Sequence, residues 1–294
     1  MKRAQHLVLL SAVLFGTTGT AQALGPDGTT PLTVGAARIA IGGAALVAFA
    51  LLTKTLKDGI RWAPGPAIAG ALGVVGYQLC FFAAVDATGV AVGTVVALGS
   101  GPAFAGLFGL AITRERPTRR WAAATALAVG GAALLVLAGG DGANVDPAGV
   151  ALALGAGASY GLYTVTSKIL LEQGHAPEGV MAVAFGVGAV LLAPVLAIGD
   201  TTWLSTSGGA ALLLYLGLIP TALAYVLFAR GLQKLPAASV ATLTLAEPLT
   251  AATLGVAVLG ERPGPIAGLG ALMVLSGLLV LAAKPRRRLS AASA

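Results

Sequence analysis

The chain has 294 residues, of which 57% are hydrophobic and 10% charged, with a mean hydropathy of +0.90 and a formal net charge of +7. Soluble domains carry about 25% charged residues, so this chain holds too few to cover a water-facing surface, and a soluble globular domain is excluded. The single cysteine, Cys80, also excludes a disulfide framework.

Apolar runs of about 18 or more residues read as membrane-crossing helices, and ten follow one another, at 7–24, 32–52, 66–85, 89–112, 120–138, 148–170, 179–198, 208–230, 235–259 and 265–283. The first has a basic start and Ala21-Gln22-Ala23, which imitates a secretory signal with its cleavage site. An internal repeat needs this segment as its first helix, so it is kept, and it carries Thr17, Thr18, Thr20 and Gln22. The second holds Arg38, for which two readings stand: snorkelling to the outer surface, or binding an anion in a cavity. The third brings Tyr77 and Gln78 alongside Gly70, Gly73 and Gly76, and ends near Asp86. The fourth contains Gly101-Pro102 and runs into the turn RERPTRR. Thr125 is the one polar side chain inside the fifth.

The sixth span offers Ser159, Tyr160, Tyr163, Thr164 and Ser167, and the eighth Tyr215, Thr221 and Tyr225 before ending at Arg230. On the ninth, Thr244, Glu247 and Thr250 are three residues apart and share a helix face. The tenth has only Ser276. Polar residues thus gather on spans 1, 3, 6, 8 and 9, as a central cavity requires. Spans 5 and 10 are read as peripheral, with Gly264 and Gly268 suited to close contact; they face lipid, other helices, or a second copy in a homodimer through helices 5 and 10.

With the N-terminus inside, Lys and Arg crowd one side. Among the eighteen, only Arg262 falls outside and Arg38 lies within a span. The positive-inside rule then places both termini in the cytoplasm. It also accounts for the basic tail KPRRR as a topology signal, with no nucleic-acid partner.

Sliding the sequence against itself by 146 residues lays Pro102 on Pro248, Glu115 on Glu261, Arg116 on Arg262 and Pro117 on Pro263. At a neighbouring offset Phe15-Gly16 meets Tyr160-Gly161. Each half holds five spans, at 1–140 and 147–285, followed by a tail at 286–294. An odd number of spans inverts the second copy, as in many secondary transporters. The two turns agree, since RERPTRR would lie inside whereas GERPG, stripped of all but one basic residue, would lie outside.

This pattern of five plus five spans, Gly101-Pro102 and Glu247-Pro248 late in each fourth span, the ERP turns and Arg38 resembles the EamA family of the drug/metabolite transporter superfamily. The resemblance covers nearly the whole chain. It implies an all-α integral membrane fold of ten transmembrane helices, as two inverted five-helix repeats around a central cavity. It also implies transport of a small metabolite, often outward. The sequence departs from the family where Gly101 stands in place of the acidic residue.

Glu247 is twelve residues into its span, about 18 Å at 1.5 Å per residue, where a carboxylate costs several kcal/mol unless paired, hydrated or protonated. One reading makes it bind a cationic group of the cargo or take up a proton. The other has it bond neighbouring helices and fix their packing. Pro248 withholds a backbone donor and clashes with the carbonyl of Thr244, which predicts a kink and a freed carbonyl, repeated at Pro102. The cargo-binding or coupling set expected is Glu247, Thr244, Tyr77, Gln78, Thr17, Tyr160, Tyr163, Tyr225 and Arg38, with no cofactor and no metal.

The ERP prolines are expected to start the next helix, with the glutamate capping it. Intramembrane enzymes need grouped His, Asp, Ser or metal ligands, whereas the histidines here, His6 and His175, lie at span ends and neither HExxH nor GxSxG occurs. No nucleotide-binding loop appears either. A carrier is the main expectation, and a passive facilitator the alternative within the same fold.

Overall fold

The computed structural model describes residues 2–56, 59–138, 146–260, 262 and 264–282, and every regular element among them is helical. In chain order, α1 is Lys2–Ala23, α2 Pro31–Leu52, α3 Pro64–Gly89, α4 Val92–Thr113 and α5 Arg119–Ala138. There follow α6 Pro147–Glu172, α7 Pro177–Ile198, α8 Ser207–Leu232, α9 Ala237–Leu259 and α10 Pro265–Ala282. Each predicted span falls on one of these helices. Seven of them, α2, α3, α4, α6, α7, α8 and α9, are long and apolar enough to cross a membrane, and α10 adds a shorter apolar helix. Lys57, Glu261, Pro263 and the basic tail at 286–294 lie outside the described residues.

Local chemistry sets the helix starts. Pro31 and Pro147 occupy first turns, where a missing N–H costs nothing, behind the side-chain caps Thr30 and Asp146. Thr206 caps α8 by accepting from the Gly209 amide at 2.9 Å. At α5 the expectation fails: neither Pro117 nor Glu115 opens the helix. Thr118 does, its hydroxyl accepting from the Trp121 amide at 3.1 Å, because the chain turns through Arg114 at φ 58° before it can enter a helix.

The interruptions also differ from the expected pair of proline kinks. Around Pro102 the backbone stays helical, and the break comes at Gly89, whose φ of 80° only glycine adopts freely. This turn separates α3 from α4. In α9 the break does fall beside Pro248, between Leu243 and Ala246. The Thr244 carbonyl is not freed, however. It accepts from the Glu247 amide at 2.9 Å, three residues on, so the chain tightens into a 3₁₀ turn that satisfies the group proline cannot serve. A π turn at Leu218–Leu223 around Pro220 does similar work in α8.

The helices alternate in direction, and their ends meet at two levels. At one end, the start of α1 lies under the end of α8, where a Cβ on Gly231 would stand 3.0 Å from the Ala4 carbonyl. There too, Trp62 before α3 stacks on His175 before α7 at 3.9 Å, and Trp121 Nε1 donates to the Ala238 carbonyl at 3.0 Å. Arg120 donates to the Val280 and Leu281 carbonyls at the same end, so most described Lys and Arg side chains gather there. At the opposite end, Trp203 Nε1 reaches Thr33 Oγ1 at 3.3 Å, and Gly149 abuts Ala87.

Packing between the halves is reciprocal. α1 lies against α8 and α9, and α6 against α3 and α4, whereas α2 packs on α7 and α5 on α10. At the last interface a Cβ on Gly131 would meet the Gly270 carbonyl at 2.5 Å and the Val274 amide at 2.6 Å. A Cβ on Gly277 would meet the Ala124 carbonyl at 2.6 Å and the Ala128 amide at 2.9 Å. Exchanging the halves by 146 turns one set of residues into the other. Gly264 and Gly268, expected to serve close contacts, have nothing within 4 Å. Large apolar side chains such as Ile68, Leu107, Val190, Leu272 and Leu279 face outward, an exterior suited to lipid.

Candidate functional site

Halfway along the bundle, α2, α3, α6, α7 and α8 surround a pocket lined by Arg38, Ile39, Gly73, Val74, Tyr77, Gln78, Tyr160, Tyr163, Phe185 and Tyr225. It leaves about 20 Å³ free, room for about one water molecule, so the structure holds the pocket closed. Gly73 brings α3 against α6, since a Cβ there would stand 2.8 Å from the Ser159 carbonyl and 2.9 Å from the Tyr163 amide. Six of the nine residues expected at the site therefore line one cavity, although they come from four helices.

The walls are aromatic. Phe185 and Tyr225 have ring centroids 4.2 Å apart, Tyr163 meets Tyr225 edge-on at 6.0 Å, and Tyr77 faces Tyr160 at 6.2 Å. Such offset and edge-to-face pairs stabilise one another beyond their burial. Two hydroxyls are engaged: Tyr163 donates to the Met181 sulfur at 2.9 Å, and Tyr160 bonds Thr244 Oγ1 at 3.0 Å. The Tyr160 bond ties α6 to α9 beside the 3₁₀ turn that carries Glu247.

Arg38 does not snorkel. Its Nη2 donates to Gln78 Oε1 at 3.1 Å, while its buried Nε has no hydrogen-bond partner. Gln78 is 2% exposed and its Nε2 is likewise unpartnered. Glu247 is not among the lining residues; it sits three residues beyond Thr244, whose hydroxyl meets the lining residue Tyr160 at 3.0 Å. Among the described residues its carboxylate accepts no hydrogen bond and has no cation within 4 Å.

Thr17 lies apart. It donates to the Leu14 carbonyl and receives the hydroxyl of the exposed Tyr215 at 2.9 Å. Other polar residues on the central spans also serve their own helices: Thr164 bonds the Tyr160 carbonyl, and Thr250 that of Ala246. Thr125, from a supposedly peripheral span, pairs with Thr242 at 2.8 Å inside the bundle. A Cβ on Gly101 would stand 3.1 Å from the Tyr160 ring, a tight contact. Phe185 was missed altogether: on the featureless α7 nothing local separates it from lipid-facing apolar residues.

Outside the pocket, Lys168 is 6% exposed and donates to the Leu232 and Gln233 carbonyls at 3.1 and 3.3 Å, with Glu172 at 3.2 Å. Glu178 receives Arg230 Nε and Nη2 at 2.9 and 2.6 Å. Both clusters tie helix ends together at the basic end. Among the described residues no group of three or more His, Cys, Asp or Glu could hold a metal ion.

Comparison with known proteins gives a consistent picture. The EamA-like transporter family matches residues 2–137 and again 147–283. The uncharacterized transporter YwfM of Bacillus subtilis is 44% identical over 289 residues, covering 98% of this chain and 96% of that one. A probable terminal-alkyne amino-acid exporter of Streptantibioticus cattleyicolor is 28% identical over 96% of this chain and 94% of its own. The threonine/homoserine exporter RhtA of Escherichia coli K12 is 35% identical over 51% of each chain. One crystal structure superposes with a TM-score of 0.80 over 95% of this chain and 97% of its own, at 20% identity, a likeness of fold.

Proposed function

The chain belongs to the EamA-like transporter family, and from that premise we propose that it is a secondary carrier that exports a small polar metabolite, an amino acid or derivative, by alternating access. The observation that carries this reading is the aromatic pocket with Glu247 beside it, a carboxylate without a hydrogen-bond or ion-pair partner among the described residues, next to a broken helix. Transporters place their cargo at such breaks. Two relatives named as amino-acid exporters support the class of cargo.

The frame of the cycle is two inverted five-helix repeats. The double family match and the exchange of contacts by 146 between α5 and α10 support that frame. All ten helices cross the cytoplasmic membrane in this reading, with the basic end and both termini in the cytoplasm, as the positive-inside rule requires. Rocking of one repeat against the other opens the pocket to each side in turn. Glu247 takes part either as a ligand for a cationic group or as the proton-coupling residue.

The test is ligand-dependent thermal stabilisation of the purified protein across amino acids, nucleobases, sugars and organic cations, at pH 6 and pH 8, followed by counterflow in proteoliposomes. A bound ligand raises apparent stability in proportion to ln(1 + [L]/Kd). An amino acid is expected to stabilise the wild type and to exchange saturably, and Glu247→Gln to weaken that response. Unsaturable flux would replace the carrier with a passive facilitator. Transport and pH dependence unchanged in Glu247→Gln would remove Glu247 from the mechanism.

A further inference from the structure

We propose that the pocket is a zwitterion site, in which Arg38 and Gln78 hold the carboxylate of an α-amino acid while Glu247 holds its ammonium group. This deepens the carrier reading above and rests on it.

The argument begins with two orphaned donors. Arg38 Nη2 occupies Gln78 Oε1 at 3.1 Å, which fixes the amide and leaves Nε2 only a donor's role. That nitrogen and Arg38 Nε are both buried without a partner. A buried donor left unpaired bears the full desolvation cost, and here the two belong to residues that line one pocket. A carboxylate is the small group whose two oxygens satisfy adjacent charge-assisted donors. A Cβ on Gly35, in α2, would stand 2.2 Å from the Phe82 ring and 2.8 Å from Gln78 Nε2, so the glycine lets α2 and α3 close up around the amide.

Charge balance then selects the ligand. Glu247 lies three residues beyond Thr244, whose hydroxyl meets the pocket residue Tyr160 at 3.0 Å, and among the described residues it closes no ion pair with Arg38 within 4 Å. A buried charge without a counter-charge is costly. An anion alone would leave Glu247 uncompensated, and an organic cation alone would leave Arg38 so. A zwitterion placed between them neutralises both. The pocket is closed in this structure, with about 20 Å³ free, so the ring walls part when the ligand seats between the two charges.

The experiment compares three probes for each amino acid that exchanges in counterflow: the amino acid, its methyl ester, and its α-hydroxy-acid analogue. The wild type is expected to bind the amino acid at least about tenfold more tightly than either analogue, the size of one charge-assisted contact. Arg38→Gln and Gln78→Leu should lose the preference over the ester while keeping that over the hydroxy acid. Glu247→Gln should do the reverse. Equal binding of amino acid and ester by the wild type overturns the proposal while leaving the carrier reading standing, and it needs no variant to fold. Retained discrimination against the ester in a folded Arg38→Gln overturns it too. Exchange of a nucleobase, sugar or organic cation with no amino acid exchanging overturns both the cargo class and this site.

Discussion

A lysine with 6% of its surface exposed, in the sixth helix of a membrane protein, invites an explanation, and Lys168 has one. Its ammonium group caps the last carbonyls of α8 at Leu232 and Gln233 and pairs with Glu172. Lys168→Met keeps the apolar stem but strips the cap, and leaving a buried carbonyl unpaired costs about 1–3 kcal/mol. A thermal melt of the purified variant should show this as a lower midpoint with unchanged ligand specificity. Glu115, in the turn before α5, behaves differently. Burial pushes its carboxyl above the usual range and Glu172 adds to this, against Lys168 and the Ala237 amide. A raised folded value means that the protonated form fits better, so stability present at low pH is lost as pH rises through that value. Glu115→Gln should therefore melt higher than wild type at pH 8 and no differently at pH 4. Equal midpoints at both pH values would refute this.

At the level of elements, close approach decides where a side chain is forbidden. Gly277 faces backbone: its Cβ would stand 2.6 Å from the Ala124 carbonyl, and neither helix can yield without parting. Gly277→Ala should cost about 1–3 kcal/mol, as overpacking does. Gly268→Ala, on the same helix with nothing within 4 Å, should be neutral or gain up to about 1 kcal/mol from helix propensity. Paired melts separate the two cases.

The same contrast shows what could be read in advance. Helices were legible because lipid demands about 20 apolar residues at a time, and that demand leaves a mark on every span. Which glycine is pressed against a neighbour leaves none, so Gly264 and Gly268 were chosen over Gly131 and Gly277. Pro102 looked like a kink because proline removes a donor, but the break went to Gly89, one of 42 glycines. Arg38 and Gln78, forty residues apart, could each be placed on a span. Their bond depends on the packing of α2 and α3, which no local pattern encodes.

For the whole molecule, the reciprocal packing of the halves has a direct test. Because α1 leans on α8 and α9 while α6 leans on α3 and α4, most of each half's buried surface belongs to the other. Residues 1–140 and 141–294, co-expressed as separate chains, should therefore copurify, and each alone should be degraded or insoluble. Reporter fusions after residue 24 and after residue 294 should report opposite sides of the membrane, the second facing the cytoplasm. Identical reports would overturn the orientation assigned from the basic end.

The position that mirrors Glu247 is Gly101, where a Cβ would stand 3.1 Å from the Tyr160 ring. This pair of matched positions thus holds one carboxylate. If this group couples export to proton entry, the stoichiometry through it is one proton per cycle and no more. One charge crossing 100 mV releases about 2.3 kcal/mol, and a factor of ten in concentration corresponds to about 1.4 kcal/mol. For a net-neutral cargo, the membrane voltage alone could then hold an outward gradient of about 50-fold. Such a carrier vents an excess of its cargo; it does not accumulate it without bound.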